Sequence, residues 1–308
     1  MADVILYGQK GGKKPIIPIF DGKCRITPLK SDWSAGYVEF FTSGALKWAY
    51  DPPKSVDLFC VGGGGGGLNG DQGYNSSGGD ATGYPGTGGG SGYTTTTLSQ
   101  RLEAETEVII GAGGSAGASG GVTSIGSLCS ANGGETGGTA VYSAYGRGGK
   151  GGSGGGGYGS QGATVGGSNG SNSGSCSYKP YGGTEIDLTG IGQGTPTTDL
   201  LGRVHAGGGA AGQSWKEADI YGRTGVSVAG GASDFAEGKG ANGSFIVTVS
   251  GADVTSGASG YGGGGFGGGG GGGGSRSSWT NTSYSGGAGG QGFAMLAWGD
   301  YKNILGLS

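Results

Sequence analysis

The amino-acid sequence predicts an all-β protein in which an antiparallel sandwich or jelly-roll-like frame carries a bundle of polyglycine-II helices. Glycine makes up 87 of the 308 residues and proline only 8. This ratio excludes a collagen triple helix, which needs abundant proline and glycine at every third position. The 28 aromatic residues (15 Tyr, 8 Phe and 5 Trp) argue against a disordered linker, because linkers carry few aromatics.

The frame is predicted from short segments that are rich in β-branched and aromatic residues and are bounded by glycine. They cover residues 37–41, 56–61, 93–98, 107–110, 226–229, 245–249 and 293–298. No segment shows helical periodicity for longer than a turn or two. Short strands that are spread over the whole chain favour an antiparallel arrangement of this kind.

A glycine tract can become ordered as a left-handed helix with three residues per turn, whose N–H and C=O groups point sideways. Neighbouring helices without side chains can then hydrogen-bond to each other, and each bond contributes about 0.5–1.5 kcal/mol. Fixing the backbone of one residue costs about 1–2 kcal/mol. Because the balance is near zero, the bundle needs a rigid frame that fixes the ends of its helices.

Glycine spacing identifies the tracts that suit such a bundle, since residues three apart lie on one edge of the helix. Glycine recurs at this spacing in two tracts, Gly111, Gly114, Gly117 and Gly120, and Gly83, Gly86, Gly89 and Gly92. In two other tracts the side chains are confined to one edge of the helix, at positions three residues apart that we call a column. The columns are Arg147, Lys150 and Ser153 in the first tract and Ala288 and Gln291 in the second. Residues 62–67 and 267–274 are all glycine, which suits helices surrounded by neighbours. Residues 133–139 and 166–174 lack the period and are predicted as loops.

Composition divides the chain near residue 50. Residues 1–50 contain few glycines, several lysines and the alternating segment Asp3-Val4-Ile5-Leu6-Tyr7. We predict a small N-terminal β module there, which attaches the rest of the chain to a partner. Residues 51–308 are predicted as one glycine-rich domain of β-strands and polyglycine-II helices.

Three passages resemble the glycine-rich tail proteins of bacteriophages and prophages, namely the opening MADVILYG, the passage VDLFCVGGGGGG at residues 56–67 and the closing GGAGGQGFAMLAWG. The chain also resembles the polyglycine-II sandwich of phage tail-tip adhesins and, more distantly, the glycine-rich domain of certain receptor tyrosine kinases. The lack of a signal peptide and of a membrane-spanning run weighs against the last of these. The middle of the chain is similar in composition alone.

The phage resemblance implies a virion tail component that is synthesised in the host cytoplasm and acts as an adhesin, attaching the virion to the host cell surface. Its implied partners are a bacterial surface receptor, either a polysaccharide or a surface protein, and other tail proteins, which bind through residues 1–50. A tail fibre would form a homotrimer, whereas a tip cap would be a single copy. A purely structural tail or baseplate component is the alternative function.

Charge and hydropathy weigh against several other partners. The net charge is −3 and charged residues make up 13% of the chain, which gives no field that would attract nucleic acid or an anionic membrane. The longest apolar run, residues 293–298, is far shorter than the ~20 residues of a membrane-spanning helix, so no membrane insertion is expected.

The four cysteines are Cys24, Cys60, Cys129 and Cys176. Their spacing fits neither a paired zinc site nor a dense disulfide framework, so they are predicted to be reduced thiols.

The sequence gives little support for catalysis, and no enzyme activity, metal or cofactor is predicted. G-x-G-x-x-G arises by chance in so glycine-rich a chain, and the G-x-x-x-x-G-K-[ST] motif does not occur. The single histidine, His205, is predicted to be a packed or surface residue. The alternation of Glu103, Glu105 and Glu107 predicts a solvated sheet face. A glycosidase is the catalytic alternative, and it would need the fold to bring together two of Asp187, Asp199, Asp219 and Asp234.

Receptor-binding residues are predicted among aromatic side chains that lie between the glycine tracts, beside Ser, Asn and Gly. Rigid rings provide contact area at a low entropy cost and also suit sugar rings. The candidates are Tyr142, Tyr145, Tyr158, Tyr178, Tyr181, Trp215, Tyr221, Trp279 and Tyr284. Tyr74 and Tyr84 have similar surroundings. Alternatively, the rings cap the helix ends against water.

An ice-binding protein is a further alternative function. It would need a long regular column of Thr or Ala, and the column Ala112, Ser115 and Ala118 is too short for this.

Overall fold

The computed structural model of the chain describes residues 14–69, 71–74, 82–84, 87–137, 148–152, 177–178, 186–187, 197–205, 214–216, 266–267, 275–277, 282–283 and 285–307. The strands in this part of the chain are β1 (Pro18–Phe20), β2 (Cys24–Pro28), β3 (Gly36–Phe40), β4 (Gly44–Trp48), β5 (Val56–Val61), β6 (Asp71–Tyr74), β7 (Thr82–Tyr84), β8 (Thr94–Gln100), β9 (Glu105–Ile109), β10 (Thr123–Ile125), β11 (Cys129–Ala131), β12 (Ser177–Tyr178), β13 (Ile186–Asp187), β14 (Thr197–Thr198), β15 (Val204–His205), β16 (Ser214–Lys216), β17 (Ser275–Ser277), β18 (Thr282–Ser283) and β19 (Phe293–Trp298). A short helix, α1 (Tyr301–Leu305), follows β19. The predicted all-β class is confirmed.

Two five-stranded antiparallel sheets form the frame of the molecule. The first sheet has the strand order β1-β4-β9-β10-β11, and the second has the order β2-β3-β19-β5-β8. The central strand of the second sheet, β19, runs antiparallel to both neighbours, so that Leu296 lies opposite Val38 of β3 and Leu58 of β5. The predicted antiparallel frame is therefore present.

The two sheets share one apolar core. Leu58 and Leu296 of the second sheet belong to the same buried cluster as Val108 and Ile125 of the first sheet. Side chains alternate between the two faces of a strand, so the other face of the first sheet is turned to solvent.

The outer face of the first sheet carries the predicted row of carboxylates. Glu105 and Glu107 of β9 are exposed, as is Glu103 just before the strand, while Val108 is buried. Glu105 lies 3.1 Å from the ammonium group of Lys47 on the neighbouring strand. The prediction of a solvated face is confirmed.

The central strands of the second sheet are covered on both faces, which explains why β5 and β19 are almost continuously apolar. All residues of β19 are buried. On the face turned away from the first sheet, Phe59, Phe293 and Met295 pack in a second cluster with Leu200 and Tyr301. Residues 197–205 and α1 thus contribute to the cover of this face.

Five predicted strands fall within the described residues, and all five are confirmed to within a few residues as β3, β5, β8, β9 and β19. The predicted strands at 226–229 and 245–249 lie outside the described residues. The sequence does not predict β1, β2, β4, β10 or β11. These strands have weak patterns of their own and form because a neighbouring strand provides their hydrogen-bond partners.

The strands before residue 50 belong to the same two sheets as those after it. β4 pairs with β9 in the first sheet, and β3 pairs with β19 in the second. The described residues therefore show no boundary between two cores near residue 50. The role of residues 1–50 in attachment stays a prediction.

The glycine-rich segments lie side by side and form what we call the glycine lattice, which consists of residues 62–68, 87–93, 111–115, 118–122, 132–137, 148–152, 266–267 and 286–292. Segment 62–68 is central, and its six glycines are buried. Its N–H groups donate in rotation with a period of three residues. Residues 62, 65 and 68 donate to segment 87–93, residues 63 and 66 to segment 118–122, and residues 64 and 67 to segment 286–292.

Six segments enclose the central one in a closed ring. Each hydrogen-bonds to the next in the order 87–93, 132–137, 118–122, 111–115, 286–292 and 266–267, and the last bonds to the first. The central segment also accepts hydrogen bonds, since the N–H groups of Gly114 and Gly134 donate to the carbonyls of Gly64 and Gly63. Backbones therefore bond to neighbours on several sides, whereas a strand in a sheet bonds on two.

Side chains occur where the lattice meets solvent. Ala288 and Gln291 are exposed and three residues apart, while Gly287 and Gly290 are buried, so the predicted single column is confirmed. Lys150 is likewise exposed between buried glycines. The other members predicted for its column, Arg147 and Ser153, lie outside the described residues.

The tract 111–120 is not the single rod that its glycine spacing predicts. The chain turns at Ala116 and Gly117, where the N–H of Ala118 donates to the carbonyl of Ser115. Gly117 has φ of 76°, which a residue with a side chain adopts only with strain. The tract therefore forms two neighbouring segments.

The loop predicted at residues 133–139 is also wrong over its described part, because residues 133–137 belong to the lattice. Glu135 is exposed and Gly134 is buried. Thr136 takes the place of a lattice glycine and donates its hydroxyl to the carbonyl of Gly66 at 3.0 Å. This threonine hides the period of three in the sequence. Residues 166–174 lie outside the described residues.

A methyl group on Gly289 would overlap the carbonyl group of Gly64. We expect Gly289→Ala to lower the free energy of unfolding by roughly 3 kcal/mol, the upper end of the usual cost of overpacking. Urea unfolding followed by tryptophan fluorescence measures the change. Ala288→Ser, at the neighbouring exposed position, is the control and should stay within about 0.5 kcal/mol of the unmodified protein. Equal stability of the two variants would contradict the tight packing of segment 286–292.

Candidate functional site

One end of the glycine lattice is fixed to the frame, and we call it the frame end. Gly62 directly follows β5, and its N–H donates to the carbonyl of Tyr93, which directly precedes β8. Gly292 directly precedes β19 and donates to the carbonyl of Gly111. Several lattice segments are thus continuous with strands of the two sheets.

The opposite end, which we call the far end, lies around residues 68 and 87. Here the N–H of Leu68 donates to the carbonyl of Thr87. The side chain of Asn69 accepts a hydrogen bond of 2.9 Å from the N–H of Gly286. Residues 69, 87, 137, 148 and 285 all lie at this end. Sequence reasoning missed Asn69, whose amide side chain lies two residues after the glycine tract 62–67.

Five short strands lie next to the far end. β6 begins two residues after Asn69, and β18 ends two residues before Ser285. β6 and β7 form an antiparallel hairpin, while β17 pairs with β16 in parallel and with β18 in antiparallel orientation. The hairpin contacts these three strands. The far end therefore carries a small β cluster.

The predicted binding residues are connected to the far end only in part. Trp215 lies in β16 of the small β cluster, opposite Arg276 of β17. Tyr178 lies in β12, opposite Ile186 of β13, and the described residues do not connect this pair of strands to the lattice. Seven candidates lie outside the described residues, namely Tyr142, Tyr145, Tyr158, Tyr181, Tyr221, Trp279 and Tyr284. Of these, Tyr142 and Tyr145 occur between the far-end residues 137 and 148, and Trp279 and Tyr284 occur between β17 and Ser285.

The first and last described residues lie at the opposite pole of the frame. β4 begins opposite Val108, next to the lattice, and ends at Trp48, opposite Pro18 of β1. Tyr301 of α1 donates its hydroxyl to Asp57 at 2.7 Å, and β5 runs from Asp57 toward the lattice. Residues 14–18 and α1 are therefore separated from the far end by both the frame and the lattice.

A buried charge network fixes residues 197–205 to the second sheet. Asp199 accepts a hydrogen bond of 2.7 Å from Nε of Arg203 and lies 2.9 Å from Nε2 of His205. Arg203 also donates to Glu39 of β3 at 2.7 Å. The side chains of Asp199 and His205 are both 0% exposed, which indicates a structural role. Sequence reasoning missed this network because Glu39 is 164 residues from Arg203.

The prediction that His205 is a packed residue is confirmed, since its ring contacts those of Phe59 and Phe293 at 5.1 and 5.2 Å between centroids. Of the aspartates considered for a glycosidase pair, Asp199 is engaged in the charge network and Asp187 lies in β13. Asp219 and Asp234 lie outside the described residues.

The network also changes the ionisation of its members. Burial raises the pKa of Asp199, whereas hydrogen bonds from His205 and Arg203 and the positive charges of these residues lower it. The lowering effects are larger in sum, so the pKa of Asp199 lies below its ordinary value. Desolvation lowers the pKa of Arg203, but its bonds to Asp199 and Glu39 raise it more. The network thus keeps Asp199 and Arg203 charged.

No protein-family model matches this chain, and no curated protein matches it either. Among the described residues, no helix has the length and apolar character needed to cross a membrane. The same residues contain no group of three or more His, Cys, Asp or Glu side chains that could hold a metal ion.

The class of protein is therefore described by its fold. It is an all-β protein whose two antiparallel sheets are continuous with a glycine lattice.

Asp199 makes stability depend on pH. Its pKa is lower in the folded protein than in the unfolded chain, where it is about 3.9, so the carboxylate stabilises the fold above that value. The contribution is lost as the pH falls through the folded-state pKa. We expect Asp199→Asn to lower the free energy of unfolding by roughly 3 kcal/mol at pH 7, as for a broken buried ion pair, and by less at pH 3, which is below the ordinary pKa of the carboxyl group.

Urea unfolding of both proteins at several pH values measures this difference. The control is Thr198→Ala, at an exposed position of the same hairpin, whose effect should be small at every pH. A stability difference for Asp199→Asn that is the same at pH 7 and pH 3 would contradict the assignment.

Proposed function

We propose that this protein is a non-enzymatic phage tail adhesin, which attaches the virion to the host cell surface through aromatic residues at the far end of the glycine lattice. The observation that carries the proposal is the polarity of the molecule. Residues 14–18 and α1 lie at one pole, where the N-terminal module would bind other tail proteins. The described residues 137 and 148, which flank Tyr145 in the sequence, lie at the other pole.

We further propose that the lattice segments are polyglycine-II helices and that residues 268–274 extend the bundle. Two observations support this. The hydrogen bonds of segment 62–68 rotate with a period of three residues, and a ring of six segments encloses it. At about 3.1 Å per residue, the six steps from residue 62 to residue 68 would hold the far end about 19 Å from β5.

Rigidity would be the mechanism of such an adhesin. A lattice without side chains has few alternative packings, so the stretches at its far end can vary in sequence on a fixed platform. Residues held in place before binding lose less entropy when they bind. Tyrosine and tryptophan rings beside Ser, Asn and Gly would provide both apolar contact and hydrogen bonds to a surface polysaccharide or protein. No cofactor takes part.

Polyglycine-II bonding predicts slow amide exchange in segment 62–68. Because the glycine N–H groups are buried and bonded, we expect protection factors of at least about 10³ at residues 62–67, measured by hydrogen–deuterium exchange of the full chain. Residues 103–104, which are exposed, provide the reference for fast exchange. The same measurement over residues 267–274 tests the extension of the bundle. Exchange at the rate of a free peptide in residues 62–67 would exclude the bundle.

The adhesin proposal predicts that far-end aromatics control adsorption. We expect the triple variant Tyr142→Ala, Tyr145→Ala and Trp279→Ala to slow adsorption of particles to host cells at least about tenfold, because buried aromatic contacts dominate most interfaces. The control is Tyr50→Ala, which removes a 36% exposed ring at the opposite pole and should leave adsorption unchanged. Assembly of normal particles by both variants makes the comparison valid.

Unchanged adsorption of the triple variant would defeat the adhesin proposal and would favour a purely structural tail or baseplate component. Incubation of the purified protein with host-wall polysaccharide completes the test. Release of sugars would support the glycosidase instead, which the proposal excludes.

A further inference from the structure

Two buried cysteines meet where the sheets join the glycine lattice. Cys60 lies in β5 of the second sheet, one residue before its end, and Cys129 begins β11 of the first sheet. Both belong to the core between the sheets and are 0% and 2% exposed. Both are free thiols in this structure.

The two cysteines lie against each other in the core between the sheets. The thiol of Cys60 lies 3.7 Å from the backbone carbonyl oxygen of Cys129. The thiol of Cys129 also lies 3.5 Å from the carbonyl oxygen of Thr95, the residue paired with Cys60 in the second sheet. Cys129 thus lies against the strand pair that contains Cys60.

The two thiols are chemically unequal. Their interaction lowers the pKa of Cys129 against the opposing effect of burial, whereas the same interaction together with burial raises the pKa of Cys60 well above the ordinary value. Since the thiolate is the nucleophile in disulfide exchange, Cys129 is the sulfur that reacts first. It lies on β11, a three-residue strand at the edge of its sheet, where local opening is easiest.

We propose that Cys60 and Cys129 form a disulfide when the protein meets a low-molecular-weight disulfide such as oxidised glutathione, and that this bond clamps the two sheets together at the frame end of the lattice. Cys60 is two residues before Gly62, and Cys129 is three residues before Asn132. The bond would therefore join the bases of segments 62–68 and 132–137. These segments already touch, because the N–H of Gly134 donates to the carbonyl of Gly63.

The thiol–disulfide exchange between the two cysteines and oxidised glutathione takes place in two steps. The Cys129 thiolate attacks one sulfur of oxidised glutathione, the glutathione S–S bond breaks, and one glutathione leaves as a thiolate that takes up a proton. Cys60 then loses its proton and attacks the Cys129 sulfur of the mixed disulfide, and the second glutathione leaves and is protonated. Two cysteine thiols are oxidised, and one glutathione disulfide is reduced to two thiols.

The test uses the full chain, purified with reduced thiols and then incubated with oxidised glutathione. Remaining thiols are alkylated after denaturation, and non-reducing peptide mass spectrometry identifies the linked cysteines. We expect a Cys60–Cys129 link and a rise of roughly 10 °C in the midpoint of thermal unfolding, because the bond closes a long loop of the unfolded chain. The rise should reverse on reduction.

Two variants provide the controls. Cys24→Ser removes a cysteine of β2 and should leave both the link and the rise intact. Cys129→Ala should lose both, and because each variant is compared with itself before and after oxidation, a lower basal stability does not affect the result. Cys60 and Cys129 that remain alkylatable, that pair with other cysteines, or that link without raising the unfolding midpoint would overturn the proposal.

Discussion

The fold depends on the close lateral approach of backbones that carry no side chains. In segment 62–68, successive N–H groups point to three different neighbours, so each residue is enclosed from several directions. A Cβ atom at Gly63 or Gly66 would overlap a carbonyl group of a neighbouring segment. Glycine is required in segment 62–68 because of this distance between backbones, since none of the residues of this segment has a positive φ.

Such a lattice gains little free energy per residue, since ordering glycine costs about as much as its hydrogen bonds return. The two sheets change that balance. β5, β8, β10, β11 and β19 each lead directly into or out of a lattice segment. The folded frame therefore fixes the ends of these segments and reduces the entropy that they lose when they become ordered. The frame is itself secured on its outer face, where the charge network of Asp199, Arg203 and Glu39 fixes residues 197–205 to the second sheet.

This arrangement separates the molecule into parts with different tolerance to change. The lattice interior admits glycine with few exceptions, and the frame needs an apolar core, so both restrict the sequence strongly. Residues 138–147, which follow a far-end residue in the sequence, contain neither a glycine tract nor a long apolar run. A recognition surface that must vary would evolve most easily there, and the proposed function rests on that separation.

Local pattern alone determined β5 and β19, whose apolar runs match the observed strands. It also determined the exposed column of Ala288 and Gln291, because an apolar run or a period of three residues is a property of neighbouring residues. Tertiary structure decided the rest. β10 and β11 are strands only because β9 pairs with β10, and residues 133–137 join the lattice although Thr136 interrupts their glycine period. The contacts between Cys60 and Cys129 and between Glu39 and Arg203 join residues far apart in the chain, and only the path of the folded backbone brings such residues together.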